Sequence, residues 1–284
     1  MAVIGVAGAG VMGIGVAQNV AQAGHEVVLI DVDTNVLDRA RRQIERNCRA
    51  SRLLGGPSLD ADAIMAAITF GVGVHQFAKA EIVIENIVEN WDAKRTLYRE
   101  MDEVCLPDTV FIANTSAIPI TQIASATKRP DKVVGVHFMN PVPHKDVVEL
   151  IPGVLTSDET LRRVRALLAE MGKKPVEVKD ACGFVSNRVL MLTINEAAFL
   201  VYEGVASAAA VDEVFRGCFG HPMGPLETAD LIGVDTILYS IEVLYEHFGD
   251  SKYRPCPLLK QMTCAGLLGR KSGKGFYTYP SIEE

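Results

Sequence analysis

The feature that most restricts the fold of this chain is a glycine-rich turn directly after its first apolar stretch. The turn reads Gly8-Ala9-Gly10-Val11-Met12-Gly13, with the apolar segment Ala2–Ala7 before it and the helical pattern Val11–Ala23 after it. In a strand–turn–helix unit, the first glycine permits the tight turn and the second lets backbone amides approach a pyrophosphate. The third lets the helix and the strand pack closely. The motif therefore predicts a Rossmann-type α/β domain that binds a dinucleotide.

An acidic residue lies where such a domain receives the ribose of its ligand. Asp31 ends the second apolar run, 18 residues after Gly13. A carboxylate at this point accepts both ribose hydroxyls of NAD and repels the 2′-phosphate of NADP. The following residues, Val32 to Thr34, offer no arginine that could compensate for that repulsion. We therefore predict NAD as the cofactor; the alternative is that Asp31 only caps the next helix.

The rest of the chain falls into two regions of different character. Up to about residue 180, β-branched runs alternate with helical patterns, which predicts a mostly parallel sheet. The predicted strands are Ala2–Ala7, Glu26–Ile30, Glu81–Glu85, Thr109–Ala113, Lys132–His137 and Pro175–Val178. The predicted helices of this region are Val11–Ala23, Asn35–Leu54, Asn90–Cys105 and Asp158–Met171, and Gly55-Gly56-Pro57 interrupts the pattern between residues 55 and 80.

After residue 182 only helical patterns remain. They cover Val185–Tyr202, Ala208–Phe219 and Leu226–Phe248. We expect an α/β Rossmann-type N-terminal domain, residues 1–182, followed by an all-α C-terminal domain, residues 183–284. Because the apolar stripes of the second region are richer than so small a domain needs, we also expect it to form a homodimer.

Composition excludes several classes of function. No apolar run reaches the roughly 18 residues of a membrane span, and a net charge of −7 without a basic run argues against nucleic acid. The six cysteines form no CxxC pair, which argues against zinc and against a disulfide framework. The first residues lack the basic start of a signal peptide, so we expect a cytoplasmic protein without a metal.

Polar residues that follow predicted strands are the candidates for chemistry, because sites in such sheets lie at the carboxyl ends of the strands. Three stretches qualify: Glu85–Lys94, Asn114–Ser116 and Gly135–Glu149. In the last, His137 ends a strand and a proline-rich bend follows, so the chain can turn back and bring Glu149 beside it. An imidazole held by a carboxylate can take the proton of an alcohol during oxidation. Without further support, a lone histidine at a strand end is more often structural.

The surroundings of His137 resemble the L-3-hydroxyacyl-CoA dehydrogenase family, which includes the 3-hydroxybutyryl-CoA dehydrogenases. The resemblance covers essentially the whole chain. Its segments are GAGVMG, IVIENIVEN, ANTSAIPI, GVHFMNPVP with Glu149, GFVSNR, HPMGPLETADLIGVD and LLGRKSGKGFY. It implies an NAD-dependent enzyme that interconverts a 3-hydroxyacyl thioester and its 3-oxoacyl form by hydride transfer.

The resemblance also implies individual roles. The implied catalytic residues are His137, Glu149, Ser116 and Asn187. The implied cofactor-binding residues are Gly8, Gly10, Val11, Met12, Gly13, Asp31, Glu89, Lys94, Ser116, Asn140 and Lys271. His137 is expected to move the hydroxyl proton while Ser116 and Asn187 orient the substrate. Without the resemblance, Glu89 is interpreted as an acid at a helix start, Lys94 and Lys271 as solvated charges, and Asn140 as a turn residue.

Two departures from the family pattern concern the carrier of the acyl group. Where the family commonly has a lysine-rich stretch that meets the nucleotide of coenzyme A, residues 49–56 contain only Arg49 and Arg52 as cations, and no lysine lies between Asp31 and Lys79. The polar stretch His144-Lys145-Asp146 replaces residues that are mostly apolar. Both features favour an acyl carrier protein and a short polar acyl group. They resemble a subgroup that oxidises glyceryl or seryl thioesters toward polyketide extender units.

Two other interpretations stay open at this point. A crystallin that shares the fold binds the cofactor without catalysis, although the complete set of four catalytic residues argues against that role. A sugar-acid dehydrogenase on the same scaffold would keep the histidine but would need no groove for a pantetheine arm.

Overall fold

The computed structural model of the chain describes residues 1–53 and 61–280. The chain divides into two compact units, Met1–Ala181 and Cys182–Glu284. The first unit is an α/β structure and the second is helical, so the predicted fold class is confirmed. Leu54, the last residue of one predicted helix, and the interruption at Gly55-Gly56-Pro57 lie outside the described residues.

The first unit is built on one eight-stranded sheet. Its strands are β1 (Val3–Ala7), β2 (Glu26–Ile30), β3 (Ile68–Gly71), β4 (Ile82–Glu85), β5 (Val110–Ala113), β6 (Val133–His137), β7 (Val147–Pro152) and β8 (Lys174–Glu177). The spatial order is β3-β2-β1-β4-β5-β6-β7-β8. The strands from β3 to β6 in this order are parallel, whereas β7 runs antiparallel to β6. The order reverses between β1 and β4, the point at which such sheets bind their ligands.

In the described residues of this unit, six α-helices accompany the sheet. They are α1 (Val11–Gln22), α2 (Thr34–Leu53), α3 (Ala61–Ala66), α4 (Trp91–Val104), α5 (Ile120–Ala124) and α6 (Asp158–Glu170). Helix α1 packs Val16 and Val20 against Ile4 and Val6 of β1, and all four are buried. Side-chain caps determine where two helices begin. The Asn90 side chain accepts a hydrogen bond from the Ala93 amide at α4, and the Ser157 side chain accepts one from the Thr160 amide at α6.

Two strands of this sheet are missing from the sequence prediction. Strand β3 is only four residues long and follows the short helix α3, so no alternation marks it. Strand β7 starts in the polar stretch around Asp146 and is stabilised by pairing with β6 and β8. In both cases the partner strand supplies the hydrogen bonds that local sequence preference does not signal.

The second unit contains five α-helices between residues 182 and 280, the part of it that the structure describes. They are α7 (Ser186–Tyr202), α8 (Ala208–Phe219), α9 (Pro225–Ile232), α10 (Val234–Phe248) and α11 (Pro257–Cys264). The single helix predicted over Leu226–Phe248 is wrong. Gly233, with φ of 111°, separates α9 from α10, because this backbone conformation is outside the helical region. Helix α11 was not predicted, and its eight residues are too few for a clear period.

Candidate active site

The glycine-rich turn has the geometry that a dinucleotide requires. Gly8 has φ of +91°, and a Cβ there would lie 2.7 Å from the Asn86 carbonyl oxygen. A Cβ on Gly13 would lie 1.7 Å from the carbonyl oxygen of Gly8, so close packing of α1 on β1 demands glycine. At Gly10, by contrast, an added Cβ would meet nothing within 4 Å. The turn is therefore open at the point where a pyrophosphate approaches the first residues of α1, Val11 and Met12.

Asp31 lies next to this turn at the end of β2. Its Oδ2 accepts a hydrogen bond of 2.8 Å from the Ala9 amide, and its Oδ1 accepts one of 3.2 Å from the Asp33 amide. These bonds hold the carboxylate between β2 and the glycine-rich turn, where a ribose would follow the pyrophosphate. The residues present therefore fit NAD.

His137 and Glu149 form a buried pair on two neighbouring strands. They are directly opposite in the antiparallel register of β6 and β7, which places their side chains on the same face. His137 Nδ1 lies 2.8 Å from Glu149 Oε2, and the two residues are 6% and 7% exposed. Because Nδ1–H donates to the carboxylate, Nε2 is left as an acceptor. Ser116 Oγ lies 3.1 Å from that Nε2, so the three side chains form one line of hydrogen bonds.

Glu89 holds the loop that carries Ser116. A single carboxylate oxygen, Oε1, accepts bonds from the Thr115 hydroxyl, from the Ser116 amide at 3.0 Å and from the Ala117 amide at 2.8 Å. Burial alone would raise the pKa of Glu89, but Lys94 and these donors outweigh it and the pKa lies below its ordinary value. An ionised Glu89 therefore orders the loop that positions the Ser116 hydroxyl.

Lys94 forms a fully buried ion pair with Glu85 and also contacts Glu89. Its ammonium is 2.7 and 2.8 Å from the two oxygens of Glu85 and 3.5 Å from Glu89 Oε2. Neither Lys94 nor Glu85 has exposed surface, so the interpretation of Lys94 as a solvated charge is wrong. Burial raises the pKa of Glu85 although Lys94 opposes the shift, and the Tyr98 hydroxyl adds a donor at 3.4 Å.

Asn140 is exposed and begins the bend between β6 and β7, with a cis peptide bond to Pro141. The buried Lys173 holds this bend, since its ammonium donates to the carbonyls of Val142 at 2.6 Å and Lys145 at 3.0 Å. A cavity of about 510 Å³ lies between the bend, the glycine-rich turn and α2. Its lining includes Gly10, Val11, Asn140, Arg39, Gln43 and Asn47. Asn140 thus shares a cavity with the glycine-rich turn.

The remaining two predicted site residues belong to the second unit. Asn187 is the second residue of α7. Lys271 donates from its ammonium to Asp235 Oδ2 at 2.7 Å, near the start of α10. The structure therefore brings together two groups of predicted residues within the first unit. One is the glycine-rich turn with Asp31 and Asn140. The other is His137 with Glu149, Ser116, Glu89 and Lys94.

Glu85 and Thr115 belong to the stretches singled out in the sequence, but no role was assigned to either. A signal for Glu85 was present. Glu85 ends the otherwise apolar strand IVIE, and Lys94 recurs with Tyr98 and Met101 on the buried face of α4. A lysine in an apolar stripe indicates a buried acidic partner.

Other kinds of site have no counterpart in the described part of the chain. No cluster of three metal-ligating side chains occurs in residues 1–53 and 61–280. Within the same residues, no helix is long and apolar enough to cross a membrane. All six cysteines are free thiols.

The chain is similar to known proteins over nearly its full length. Residues 3–181 match the model of the 3-hydroxyacyl-CoA dehydrogenase NAD-binding domain, and residues 183–279 match that of the C-terminal domain. A probable 3-hydroxybutyryl-CoA dehydrogenase of Bacillus subtilis is 48% identical over 278 residues, which is 96% of both chains. The mitochondrial hydroxyacyl-coenzyme A dehydrogenase of Homo sapiens is 34% identical, over 96% of this chain and 90% of that protein.

Solved structures agree with these matches. The crystal structure of (S)-3-hydroxybutyryl-CoA dehydrogenase from Ralstonia eutropha superimposes with a TM-score of 0.92 at 40% identity. The superposition covers 99% of this chain and 100% of the Ralstonia eutropha chain. The M. tuberculosis protein FadB2 superimposes with a TM-score of 0.94 at 36% identity, over 98% of both chains. The protein therefore belongs to the 3-hydroxyacyl-CoA dehydrogenase family and is an NAD-dependent oxidoreductase.

Proposed function

We propose that the protein interconverts a 3-hydroxyacyl thioester and the corresponding 3-oxoacyl thioester, with His137 and Glu149 as the proton-transfer dyad. The observation that carries this proposal is the line of hydrogen bonds from Ser116 through His137 to Glu149. It ends at the carboxyl edge of the sheet that also holds the glycine-rich turn, which is where substrate and cofactor meet in such domains. NAD, when bound, supplies the hydride acceptor for C3 of the hydroxyacyl group.

The protonation states follow from the hydrogen bonds. During oxidation, His137 Nε2 takes the proton of the substrate hydroxyl while Nδ1–H keeps donating to Glu149, whose charge stabilises the imidazolium. During reduction the same proton returns to the substrate oxygen. The Ser116 hydroxyl, within 3.1 Å of Nε2, orients the substrate hydroxyl, and the family resemblance gives Asn187 the thioester carbonyl.

The proposed cofactor contacts divide into direct and supporting ones. Gly8, Gly10, Val11, Met12 and Gly13 hold the pyrophosphate, and Asp31 holds the ribose hydroxyls. The family resemblance adds Glu89, Lys94, Asn140, Ser116 and Lys271. Because Lys94 is fully buried and contacts Glu85 and Glu89, its support for the site passes through Glu89.

A homodimer formed through the second unit is part of the same proposal. Large apolar side chains are exposed on this unit, including Val189 at 60%, Val205 at 66% and Phe219 at 64%. Exposed apolar surface of this kind marks association sites. In this proposal, residues 1–182 bind NAD and residues 183–284 contribute to substrate binding and to the dimer. A location in the cytoplasm agrees with the six free thiols.

The substrate carrier has two candidates. Coenzyme A is the first, since the relatives named above are described as acting on hydroxybutyryl-CoA or hydroxyacyl-CoA. An acyl carrier protein bearing a glyceryl or seryl group is the second. It is favoured by the exposed polar stretch His144-Lys145-Asp146 in the bend beside the cavity.

An absorbance assay at the NADH band tests the proposal. The purified protein is given NADH with acetoacetyl-CoA, and in parallel with the same acyl group on an acyl carrier protein, while NADPH serves as the cofactor control. We expect oxidation of NADH with at least one thioester, a weaker reaction with NADPH and loss of activity in His137→Gln. If NADH is not oxidised with either carrier, the proposed function is wrong.

A further inference from the structure

Helix α2 carries a charge opposite to that of the rest of the protein. Its sequence, TNVLDRARRQIERNCRASRL, contains six arginines and two acidic residues, whereas the chain as a whole has a net charge of −7. Although α2 contains no lysine, its arginines bind phosphates and carboxylates in a bidentate manner that lysine cannot match. Besides Arg49 and Arg52, α2 therefore carries four more cations at residues 39–46.

Four of these arginines share one face of α2. Arg39, Arg42, Arg46 and Arg49 are all exposed. At 3.6 residues per turn they fall within an arc of about 80° and extend for about 15 Å along the helix axis. The opposite face is the buried one, formed by Leu37, Ala40, Ile44 and Cys48. We call these four arginines the arginine stripe.

In the described part of the chain, the members of the arginine stripe form no ion pair, whereas Arg129 pairs with Asp102. The acidic residues of the same helix, Asp38 and Glu45, lie four residues before Arg42 and Arg49. The spacings within the stripe are three and four residues, at which like charges destabilise a helix by about 0.2–0.5 kcal/mol per pair. An anionic partner that covers the stripe would remove this repulsion.

The shape of the stripe favours a protein partner over a small phosphate ligand. Small ligands bind in concave sites lined on several sides, but the arginine stripe lies on the convex, solvent-facing side of a helix. Extended rows of charge are typical of complementary protein surfaces, where they steer association and set orientation. The cavity of about 510 Å³ begins beside the stripe, because Arg39 belongs to both.

We propose that the arginine stripe docks the acidic surface of a carrier protein that presents its acyl group on a phosphopantetheine arm. The inference rests on the proposed thioester dehydrogenase function. The stripe adjoins the cavity through Arg39, and the bend that starts at Asn140, three residues after His137, lines the same cavity. A carrier docked on the stripe therefore lies next to the bend that follows the strand of His137.

The test uses one acyl group on three carriers and a matched surface control. A 3-hydroxybutyryl group is attached to an acyl carrier protein through its phosphopantetheine, to pantetheine alone, and to coenzyme A. Formation of NADH is measured for the wild type, for the triple variant Arg42→Glu, Arg46→Glu, Arg49→Glu, and for Arg99→Glu. Arg99 is an exposed arginine on α4, and Arg39 is left intact because it lines the cavity.

We expect the triple variant to lose about tenfold or more in kcat/KM on the carrier protein while staying within about twofold on pantetheine. Arg99→Glu should match the wild type on all three carriers. High salt should lower the wild-type rate on the carrier protein and leave the rate on pantetheine unchanged.

Three results would overturn the docking proposal. The wild type could use the carrier protein no better than pantetheine, or the triple variant could lose activity on coenzyme A alone, which would make the stripe a site for nucleotide phosphates. An equal loss on all three carriers, with a lowered melting temperature, would make it a structural element. Failure of the wild type on all three carriers would instead contradict the proposed function itself.

Discussion

Both units of the protein bury carboxylates, but the partners of these carboxylates differ. In the first unit, Glu149 is hydrogen-bonded to His137 and Glu85 is paired with Lys94. In the second unit, Asp212 and Asp230 are fully buried, yet their partners are backbone amides and tyrosine hydroxyls. In the first unit the partners are an imidazole and an ammonium group, which can carry a charge. In the second unit all partners are neutral donors.

Hydrogen bonds of Asp212 and Asp230 connect the segment Tyr277–Tyr279 to α9. Asp212 accepts from the Leu226 amide at 2.9 Å and from the Tyr277 hydroxyl at 2.6 Å. Asp230 accepts from the Tyr277 amide at 2.9 Å and from the Tyr279 hydroxyl at 3.0 Å. Burial, and next the bond to Asp230, raise the pKa of Tyr279 to about 12. These donors keep their protons at neutral pH, so the bonds serve stability and not proton transfer.

The comparison teaches that burial alone does not indicate a reactive carboxylate. A buried acid becomes part of chemistry when its partner can transfer a proton to or from the substrate, as an imidazole can. With fixed donors, the same acid is a structural clamp.

Replacing His137 should produce the largest effect on catalysis. In His137→Gln the group that exchanges the substrate proton is lost, so kcat should fall by about 100- to 10,000-fold. The melting temperature should change little, because glutamine can still donate to Glu149. Steady-state kinetics and thermal unfolding measure the two effects. A kcat near the wild-type value would remove the distinction between the two sets of carboxylates.

Breaking the buried ion pair should have the largest effect on stability. Glu85→Gln leaves the Lys94 charge buried with only Glu89 beside it, so the free energy of unfolding should fall by about 3–5 kcal/mol. The double variant Glu85→Gln, Lys94→Gln should recover much of that stability. Its kcat should be lower than that of the wild type, because Glu89 has lost the cation that helps to orient it beside Ser116.

Chemical denaturation measures the free energy of unfolding of both variants, and steady-state kinetics on the same samples measures kcat. If the double variant recovers both stability and kcat, the ion pair is only a structural element, like the clamps of the second unit.

Asp230→Asn should destabilise the protein without altering the chemistry. An amide is a weaker acceptor for the Phe276 and Tyr277 amides, so the free energy of unfolding should fall by about 1–3 kcal/mol. The kcat measured well below the melting temperature should equal that of the wild type. Asp158→Asn, at an exposed residue of α6, is the matched control. A selective loss of kcat in Asp230→Asn would place this carboxylate in the active site.

The smallest expected effect is a dependence on acid. The pKa of Glu89 is lowered in the folded protein, so its contribution to stability is present above the unfolded value and is lost as the pH falls through the folded value. The difference in unfolding free energy between the wild type and Glu89→Gln should be constant above about pH 5 and should vanish in stronger acid. Urea unfolding across this range measures it. A difference that grows toward acid would contradict the ionised state of Glu89.

Local sequence was sufficient for the features that depend on neighbours along the chain. The glycine-rich turn, the first helix and Asp31 follow from residues within one βαβ unit, where each glycine has its own steric reason. The approach of Glu149 to His137 was also predictable, because a proline-rich bend of known length joins them. Short spacing leaves few conformations, and in these cases the pattern indicates the structure.

Only the tertiary structure decided the rest. The loop bonds of Glu89 to Ser116 and the bonds of Asp230 to Tyr277 connect residues that are remote in sequence. The same holds for β3 and β7, which become strands because neighbouring strands offer hydrogen bonds. The sequence pattern does not identify a remote partner of a buried charge, since such a pair is stable only when the folded chain brings the two groups within bonding distance.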